Sequence, residues 1–410
     1  MAFDTKYILI PVFIACSLFG FRASIGTILG TGFGKVVKDL AAGNIAFLPG
    51  APQPFLREYA GIGPLDRKLV GLVAFFSTLI DGDVDQSTVA FSIWGLAQFG
   101  SAWTLLVLEA RRNGNRYGLL GWVGPAGLAM QLLTYTFIAP IWLSLHLLIS
   151  PVAKLRNGDG EAARKSLFVL LWDMALLPAA ITITYLVPST VMNMPSLASM
   201  SASAHYKWIA AWQLFPLWTV LVLYALHAVL YTAIGSLLPR DEEDKPTTLG
   251  KGYTVAVSGV YEFVTTVTTM THLPVVILSV LPDSARSLIA GYIPRYAAFI
   301  NSATFSKVFV PYWITNIPKI NPTGYVSGDL AVPAKNFLQW DVYVGSIPFV
   351  LWALYLHQRT VKNPSLPGAL ALTAKWFVLG GPLCAVAALL KERDNVVLEG
   401  DNKSYEAKTK

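Results

Sequence analysis

The sequence predicts an all-α fold, a polytopic transmembrane helical bundle of roughly eight to ten spans. Of the 410 residues, 54% are hydrophobic and only 13% are charged, whereas a soluble domain carries about 25% charged residues. Apolar runs of about 18 or more residues, long enough to cross a bilayer as helices, recur along the chain. The net charge of +7 is therefore attributed to the loops between spans and to their contact with anionic lipid. A lipid bilayer, not nucleic acid, is the expected partner.

Ten apolar runs are interpreted as spans, and three of them depart from a simple crossing. Leu69–Ile80 is short and needs the residues before it to cross. Tyr117–Ser150 is long, and Pro125 and Pro140 predict kinks within it. Ser287–Trp313 is the weakest run because it carries polar and basic residues. In chain order the predicted spans are Tyr7–Leu29, Leu69–Ile80, Thr88–Leu108, Tyr117–Ser150, Ser166–Val187, Trp208–Leu238, Tyr253–Leu281, Ser287–Trp313, Phe337–Leu356 and Gly368–Leu390.

The domain organisation follows from the same pattern. Residues 1–390 are predicted to form one integral-membrane helical domain, followed by a polar, disordered tail over 391–410. No internal repeat is visible, which argues against an inverted-repeat transporter. Cys16 and Cys384 lie inside apolar runs without a CxxC motif, so both are interpreted as core residues.

Three acids lie inside apolar runs: Asp173, Glu262 and Asp341. An ionised carboxyl in lipid loses its hydration, so such a group rests protonated and is a Brønsted acid available to a weak base. The alternative is a structural hydrogen bond between helices. Both interpretations stay open for each acid.

The motif DGDVD, with Asp81, Asp83 and Asp85, follows the second span. Three aspartates suggest a divalent-metal site, but an EF-hand is excluded because Gln86 and Ser92 replace the required Gly and Glu. The motif also approaches the DxDD acid motif of class II terpene cyclases, with Gln86 in place of the last Asp. The structural alternative is that Asp85 or Ser87 caps the next helix, whose N-terminus the acids favour.

A second charged motif, EARRNGNR, begins at Glu109 where the third span ends. In the structural interpretation Glu109 pairs with Arg111 or Arg112, while the arginines anchor the helix at phosphate head groups. In the functional interpretation Glu109 is an acid or base at the rim of a cavity. A span of this length is roughly 30 Å long, so Asp81 and Glu109 are predicted to face opposite membrane surfaces.

If all ten runs cross, successive loops lie on alternate sides of the membrane. Each remaining acid can then be assigned to the Asp81 end or to the Glu109 end of the bundle. Asp173, Glu262 and Asp341 are then predicted to lie toward the Asp81 end, which makes DGDVD the rim of the cavity. For Asp341 this placement depends on the eighth run being a true crossing.

Aromatic residues make up 12% of the chain, and several stand mid-span near polar groups. Their faces can stabilise a carbocation by cation–π attraction, and the predicted substrate-binding set is Trp103, Trp172, Tyr224 and Tyr261. The histidines show no metal-ligand spacing. His227 and His272 nevertheless leave a membrane O-acyltransferase as an alternative, and the buried acids leave a proton- or cation-coupled transporter.

The pattern LIDGD, F-x-x-W-x-x-x-Q-F-G-S-A-W and LLVLEARRNGNR, which falls within Leu79–Arg116, resembles the membrane-bound terpene cyclases of fungal meroterpenoid pathways. The resemblance is to the ascofuranone- and macrophorin-type enzymes, and it extends to the Trp172–Asp173 pair.

The resemblance implies a secondary-metabolism enzyme that cyclises a farnesyl-type chain attached to an aromatic or polyketide-derived head group. Such a reaction begins by protonating a terminal alkene or an epoxide, so no diphosphate leaves and no metal or other cofactor is expected. It also implies an endoplasmic reticulum location and neighbouring pathway enzymes. The candidate acids and bases are Asp173, Glu262, Asp341, Asp81 and Glu109.

Overall fold

The computed structural model describes residues 4–51, 53–81, 84–194, 200–234, 251–321, 324–362 and 364–399. Within these ranges the chain is helical and contains no β-strand, which confirms the all-α prediction. The helices are α1 Lys6–Gly30, α2 Phe33–Ala42, α3 Gly63–Ile80, α4 Gln86–Arg111, α5 Val123–Leu133, α6 Tyr135–Ile149, α7 Pro151–Lys154, α8 Gly160–Leu167, α9 Leu171–Ile181, α10 Val187–Asn193, α11 Ala202–Trp212, α12 Phe215–Ile234, α13 Lys251–Val280, α14 Asp283–Tyr292, α15 Ala297–Ser302, α16 Phe305–Phe309, α17 Ser327–Thr360, α18 Leu366–Gly380 and α19 Pro382–Glu399.

Six helical segments in the described part of the chain are long and apolar enough to cross a membrane: Lys6–Gly30, Gln86–Arg111, Leu171–Asn193, Phe215–Ala233, Val255–Val280 and Ser327–Thr360. Three shorter apolar helices, α5, α6 and α18, accompany them. The third of the six segments joins α9 and α10 through a π-helical turn at Thr182–Leu186.

Helix α4 is the centre of the bundle. Inside the protein, 83% of its most apolar window is buried, against 56% for α17 and 22–39% for the other four long segments. α4 packs against α17, α13, α9 and α3, and α17 in turn packs against α1, α6 and α19. The 26 residues of α4 rise about 39 Å, so its ends lie near opposite surfaces of the bundle.

The predicted fourth span, Tyr117–Ser150, is in fact a helical hairpin that returns to the end where it began. Ser150 donates a hydrogen bond of 2.6 Å to the side chain of Asn115, and Asn115 donates one of 2.8 Å to the Glu109 carbonyl. Helices α5 and α6 are therefore the two arms, and Thr134 is the tip. Thr134 has a φ of +86°, a strained conformation for a β-branched residue.

Two further expectations are corrected. The eighth predicted span, Ser287–Trp313, consists of short helical pieces ending at Phe309 and contains no long crossing helix. The predicted disordered tail begins too early, because α19 continues to Glu399 and buries Arg393 and Asp394. Residues 400–410 lie outside the described residues.

Candidate active site

An apolar cavity of about 240 Å³ lies among α1, α2, α3, α4, α17 and the tip of the α5–α6 hairpin. This inner cavity has mainly aliphatic and aromatic walls. Asp341 is the one carboxyl among the described residues that line it. The lining residues are Ile25, Ile28, Phe33, Gly34, Val37, Gly71, Leu72, Phe75, Phe76, Gly95, Leu96, Phe99, Met130, Gln131, Leu132, Thr134, Tyr135, Trp212, Phe337, Leu338, Asp341 and Val342.

The position of Asp341 is determined by the tip of the hairpin. Asp341 is 9% exposed, and its Oδ1 accepts a hydrogen bond of 2.9 Å from the backbone N–H of Thr136. Thr136 belongs to the first turn of α6, where backbone N–H groups have no partner within the helix. The carboxyl therefore sits at the positive end of a helix dipole.

Gly345 makes this approach possible. It lies four residues after Asp341, on the same face of α17. A Cβ atom at Gly345 would lie 2.4 Å from Cε1 of Tyr135 and 3.3 Å from Cα of Thr136. Only a residue without a side chain lets the hairpin tip pack against α17 closely enough for Thr136 to reach Asp341.

Aromatic rings form a connected wall around the cavity. Phe75 has its ring centroid 4.9 Å from Phe337 and 5.2 Å from Phe76, and Phe76 lies 4.9 Å from Trp212. On the other side, Phe99 lies 5.3 Å from Tyr135. The wall thus presents several π faces to one small volume, an arrangement that stabilises positive charge.

A second set of buried acids is paired with arginines. This ion cluster consists of Glu109, Arg112, Arg393 and Asp394, each at most 1% exposed, together with Tyr261. Arg112 donates to Glu109 at 2.8 Å and to Asp394 at 2.6 Å, and Arg393 donates to the same two acids at 2.7 and 2.8 Å. The Tyr261 hydroxyl donates to Asp394 at 2.7 Å. The predicted Glu109–Arg112 pair exists, but burial of Arg112 contradicts its predicted role at phosphate head groups.

Asp173 and Glu262 lie at the Glu109 end of the bundle, not at the Asp81 end as predicted. Asp173 is within 3.6 Å of Arg111, the last residue of α4, and within 3.3 Å of His227. Glu262 is mostly exposed and pairs with Lys391 at 2.9 Å. The prediction is wrong for Asp173 and Glu262 because the hairpin replaces a crossing. The eighth run does not cross either, so the two errors cancel for α17: it begins at the Asp81 end, where Lys335 donates to Ser87 at 2.9 Å, and Asp341 lies toward that end as predicted. Neither Asp173 nor Glu262 lines the inner cavity.

The Asp81 end holds a different pair. Asp81 Oδ1 lies 3.3 Å from Nδ1 of His205, and the other ring nitrogen of His205 lies 2.8 Å from the Met192 carbonyl. Asp85 accepts a hydrogen bond of 2.9 Å from the Ser87 N–H and caps α4, as the structural interpretation predicts. Asp83 lies outside the described residues. Among the residues that are described, no group of three His, Cys, Asp or Glu side chains is placed to hold a metal ion.

The four predicted substrate-binding aromatics do not line the inner cavity. Trp103 is buried and donates to Thr219 at 3.2 Å, whereas Tyr261 belongs to the ion cluster. Tyr224 is exposed beneath the Arg111 guanidinium, and Trp172 is half-buried at the start of α9. The sequence patterns do not single out Trp212, Phe75, Phe99 or Thr136 as site residues. The signal in the sequence is a glycine, Gly345, one helical turn after Asp341, which is typical of a close approach by another helix.

The fold and the cavity define the class of protein: over the described residues it is an all-helical bundle with long apolar helices and an aromatic-lined, apolar cavity whose described wall holds one carboxyl. The sequence profile of the CtvD domain family matches residues 6–398. The chain is 26% identical over 359 residues to terpene cyclase ascI of Acremonium egyptiacum, covering 85% of this chain and 82% of that protein. It is 26% identical over 360 residues to terpene cyclase verU1 of Penicillium polonicum, covering 85% and 84%. It is 29% identical over 219 residues to terpene cyclase janA of Penicillium janthinellum, covering 52% and 57%.

The chain therefore belongs to the CtvD-domain family of fungal meroterpenoid terpene cyclases and is an enzyme of the cyclase type. No solved structure matches it. The resemblance seen in the sequence is confirmed. This family membership speaks against the transporter and O-acyltransferase alternatives. Neither His227 nor His272 lines the inner cavity.

Proposed function

We propose that this enzyme protonates the terminal alkene or epoxide of a prenylated aromatic or polyketide meroterpenoid and guides its cyclisation inside the inner cavity. The observation that carries the proposal is the position of Asp341, the one carboxyl among the described residues that line an otherwise apolar cavity. A protonated carboxyl in such a place meets an apolar substrate without competition from bulk water.

The hydrogen bond to Asp341 favours proton donation. The Thr136 N–H donates to Oδ1 of Asp341, and the Tyr135 backbone and the Thr134 side chain also interact with the carboxyl. The hairpin tip thus orients the carboxyl, whose protonated form carries the transferable proton. When that proton moves to the alkene carbon or the epoxide oxygen, Asp341 becomes a carboxylate. The Thr136 N–H and the N-terminus of α6 stabilise this carboxylate, which strengthens Asp341 as an acid.

The walls then determine the course of the cation. The rings of Phe75, Phe76, Phe99 and Trp212 offer π faces along the cavity, and exclusion of water prevents early capture. Closure occurs by loss of a proton or by attack of an internal hydroxyl. In the loss-of-proton route the Asp341 carboxylate is the available base, because no other carboxyl lines the described wall.

The size of the cavity bears on which part of the substrate it takes. About 240 Å³ is slightly below the roughly 300–1,000 Å³ of common small-molecule pockets. We place the farnesyl-type chain inside and the aromatic head group at the mouth. The six long apolar segments support a bilayer location, which we assign to the endoplasmic reticulum, near other enzymes of the pathway. No diphosphate leaves, so the proposal requires neither a metal nor a cofactor.

Asp341→Asn is the decisive variant. Asparagine keeps an oxygen that accepts from Thr136 but cannot donate a carboxyl proton, so we expect cyclisation to fall about 10²- to 10⁴-fold while the protein still folds. Microsomes carrying each variant are incubated with a farnesylated phenol and its terminal epoxide. The product is a cyclised isomer of unchanged mass, so it is separated from the substrate by liquid chromatography and its rings are identified by NMR.

Glu262→Gln is the matched control, because Glu262 is another acid in a long apolar helix but is exposed and paired with Lys391. We expect it to keep the wild-type rate, since an exposed ion pair contributes about 0–1 kcal/mol. A full rate in folded Asp341→Asn, or loss of activity in Glu262→Gln alone, would contradict the assignment. Inertness of the wild-type protein toward both substrates would contradict the proposed function itself.

A further inference from the structure

The polar side chains of the inner cavity are gathered at the tip of the α5–α6 hairpin. Besides Asp341, the residues of the described wall with hydrogen-bonding side chains are Gln131, Thr134, Tyr135 and Trp212, and the first three belong to the hairpin. The remaining lining residues are aliphatic, aromatic or glycine. The cavity therefore has a polar end beside Asp341 and an apolar body, so a substrate oxygen is best accommodated at the polar end.

Three of these four side chains are already engaged or out of reach. The Trp212 indole donates to the Ser189 hydroxyl at 2.8 Å. The Thr134 hydroxyl accepts from the Phe137 N–H at 3.3 Å, where it caps α6. The Tyr135 hydroxyl is fully buried, so this residue presents its ring, not its oxygen, to the cavity. This leaves Gln131 as the side chain of the described wall with free hydrogen-bonding groups.

The Gln131 carboxamide has no hydrogen bond to any described residue. Gln131 is half-buried, and its Oε1 and Nε2 atoms keep accessible surface, in contrast to the Tyr135 hydroxyl. A carboxamide offers two donor hydrogens and an acceptor oxygen, and leaving them unpaired away from water costs free energy. An unpaired carboxamide in the wall of an apolar cavity therefore indicates a ligand that supplies the partner.

The hairpin tip lies deep in the bundle, far from bulk water. Tyr135 packs over Gly345, where an added Cβ atom would lie 2.4 Å from its ring. Gly345 is near the middle of α17, which runs from Ser327 to Thr360, so each end of this helix is roughly 20–30 Å away along the axis. Polar side chains at such a depth in a membrane bundle are costly, and they mark contacts with a substrate or an ion.

Two parts of the proposed substrate can bring an oxygen to this end. Gln131 lies one helical turn before Thr134, whose side chain interacts with the Asp341 carboxyl. An epoxide oxygen that receives the proton of Asp341 is therefore one source. Leu132, the residue after Gln131, lines the cavity and is 53% exposed, so a head-group oxygen at the mouth is the other. Both oxygens present the same chemistry to a carboxamide.

We propose that the Gln131 carboxamide hydrogen-bonds an oxygen of the substrate, which makes Gln131 a specificity-determining residue of the inner cavity. The inference rests on the proposed function, because it takes this cavity as the substrate site. Gln131 exchanges no proton with the substrate, and Asp341 stays the acid. A substrate that carries the oxygen is favoured over an analogue of the same shape that lacks it, because the analogue leaves the carboxamide unpaired.

The first test measures binding in the Asp341→Asn background, where it does not depend on turnover. Radiolabelled farnesylated phenol epoxide is bound to the protein in lipid nanodiscs and displaced by three unlabelled probes. These are the same full compound, its analogue without the phenol hydroxyl, and the farnesylated phenol that has the terminal alkene in place of the epoxide. Gln131→Leu keeps the approximate size of the side chain and should weaken binding of the full compound about fivefold. The loss should disappear for the analogue that lacks the oxygen held by Gln131.

The analogue that escapes the loss identifies the source of the oxygen. Insensitivity of the analogue without the hydroxyl assigns the head group, and insensitivity of the alkene assigns the epoxide. An equal loss for all three probes would show that Gln131 only supports the fold of the hairpin. No loss for any probe would show that the carboxamide does not meet the substrate. Either of these last two results would overturn the proposal.

Gln86→Leu is the matched control, because Gln86 is a half-buried glutamine at the first residue of α4 and does not line the cavity. It should leave binding of all three probes unchanged. In the enzyme that retains Asp341, Gln131→Leu should lower kcat/KM for the full compound about fivefold and leave the unfolding temperature unchanged. A wild-type protein that binds the probes but forms no cyclised product would contradict the proposed function alone. Cyclisation by Gln131→Leu with unchanged preference among the three probes would contradict this inference alone.

Discussion

Glu109 and Asp341 are two buried carboxyls with opposite surroundings. Glu109 accepts from two arginines, and each arginine also reaches Asp394, so the charges of the ion cluster cancel. Asp341 has the Thr136 N–H on Oδ1 and faces an apolar cavity. The comparison teaches that burial alone does not mark a reactive acid. The number of opposite charges around the carboxyl decides whether it is fixed as a structural ion or left available to a substrate.

The largest expected effect is on stability and arises at Glu109. Glu109→Gln removes one charge from a fully buried cluster and leaves two guanidinium groups facing one acid. Breaking such a pair costs about 3–5 kcal/mol, so little folded protein is expected. Thermal unfolding in detergent, followed by size-exclusion fluorescence, measures the loss. Asp341→Asn should unfold near the wild-type temperature. Equal destabilisation of the two variants would remove the distinction between the carboxyls.

A smaller effect on activity is expected at Gly345. Gly345→Ala pushes the Tyr135 ring and the hairpin tip away from α17, so Thr136 no longer reaches Asp341. Overpacking of this kind costs roughly 1–3 kcal/mol, and we expect kcat to fall about tenfold with KM little changed. The measurement is steady-state cyclisation in microsomes.

Gly328→Ala on the same helix is the control for Gly345→Ala, because nothing lies within 4 Å of a Cβ atom at Gly328. It should keep the wild-type kcat. An unchanged kcat in both alanine variants would show that the Thr136 hydrogen bond does not matter for the reaction.

The smallest effect is expected at the His205–Asp81 pair. The surroundings of Asp81 are intermediate between those of Glu109 and Asp341, because Asp81 faces one group that can carry the opposite charge and is partly exposed. Burial lowers the pKa of His205, but the Asp81 carboxylate outweighs it, and the pKa is raised above the ordinary 6.5. The pair therefore contributes its full stability below about pH 6.5 and loses it as the pH rises through the raised pKa. We expect a loss of up to about 1 kcal/mol.

The pH dependence of the unfolding temperature measures this pair. The unfolding temperature of the wild-type protein should decline above neutral pH. In His205→Gln and in Asp81→Asn this decline should become shallower to the same degree, because each variant removes the same interaction. A decline that persists unchanged in both variants would assign the pH dependence to other groups.

The sequence predicts Asp341 as a candidate because an acid inside an apolar run is costly and visible. It does not predict Thr136, which lies 205 positions away in the chain and meets Asp341 only because α5 and α6 form a hairpin. The side assignments of Asp173 and Glu262 fail for the same reason, since a run that turns back reverses the assignment of the spans after it until a second run fails to cross. Arg393 and Asp394 escape notice because charged residues near a chain end resemble a solvated tail.

The ion cluster also has a consequence for the biogenesis of the protein. Arg393 bonds to Glu109 across 284 positions of the chain, and Asp394 bonds to Arg112 across 282. At roughly 5–20 residues per second, the ribosome makes the two halves of the cluster about 15–60 s apart. Until α19 arrives, α4 carries charges whose partners do not yet exist. A chain truncated before Arg393 keeps that state permanently, so Glu109 and Arg112 have all their partners only once α19 has been made.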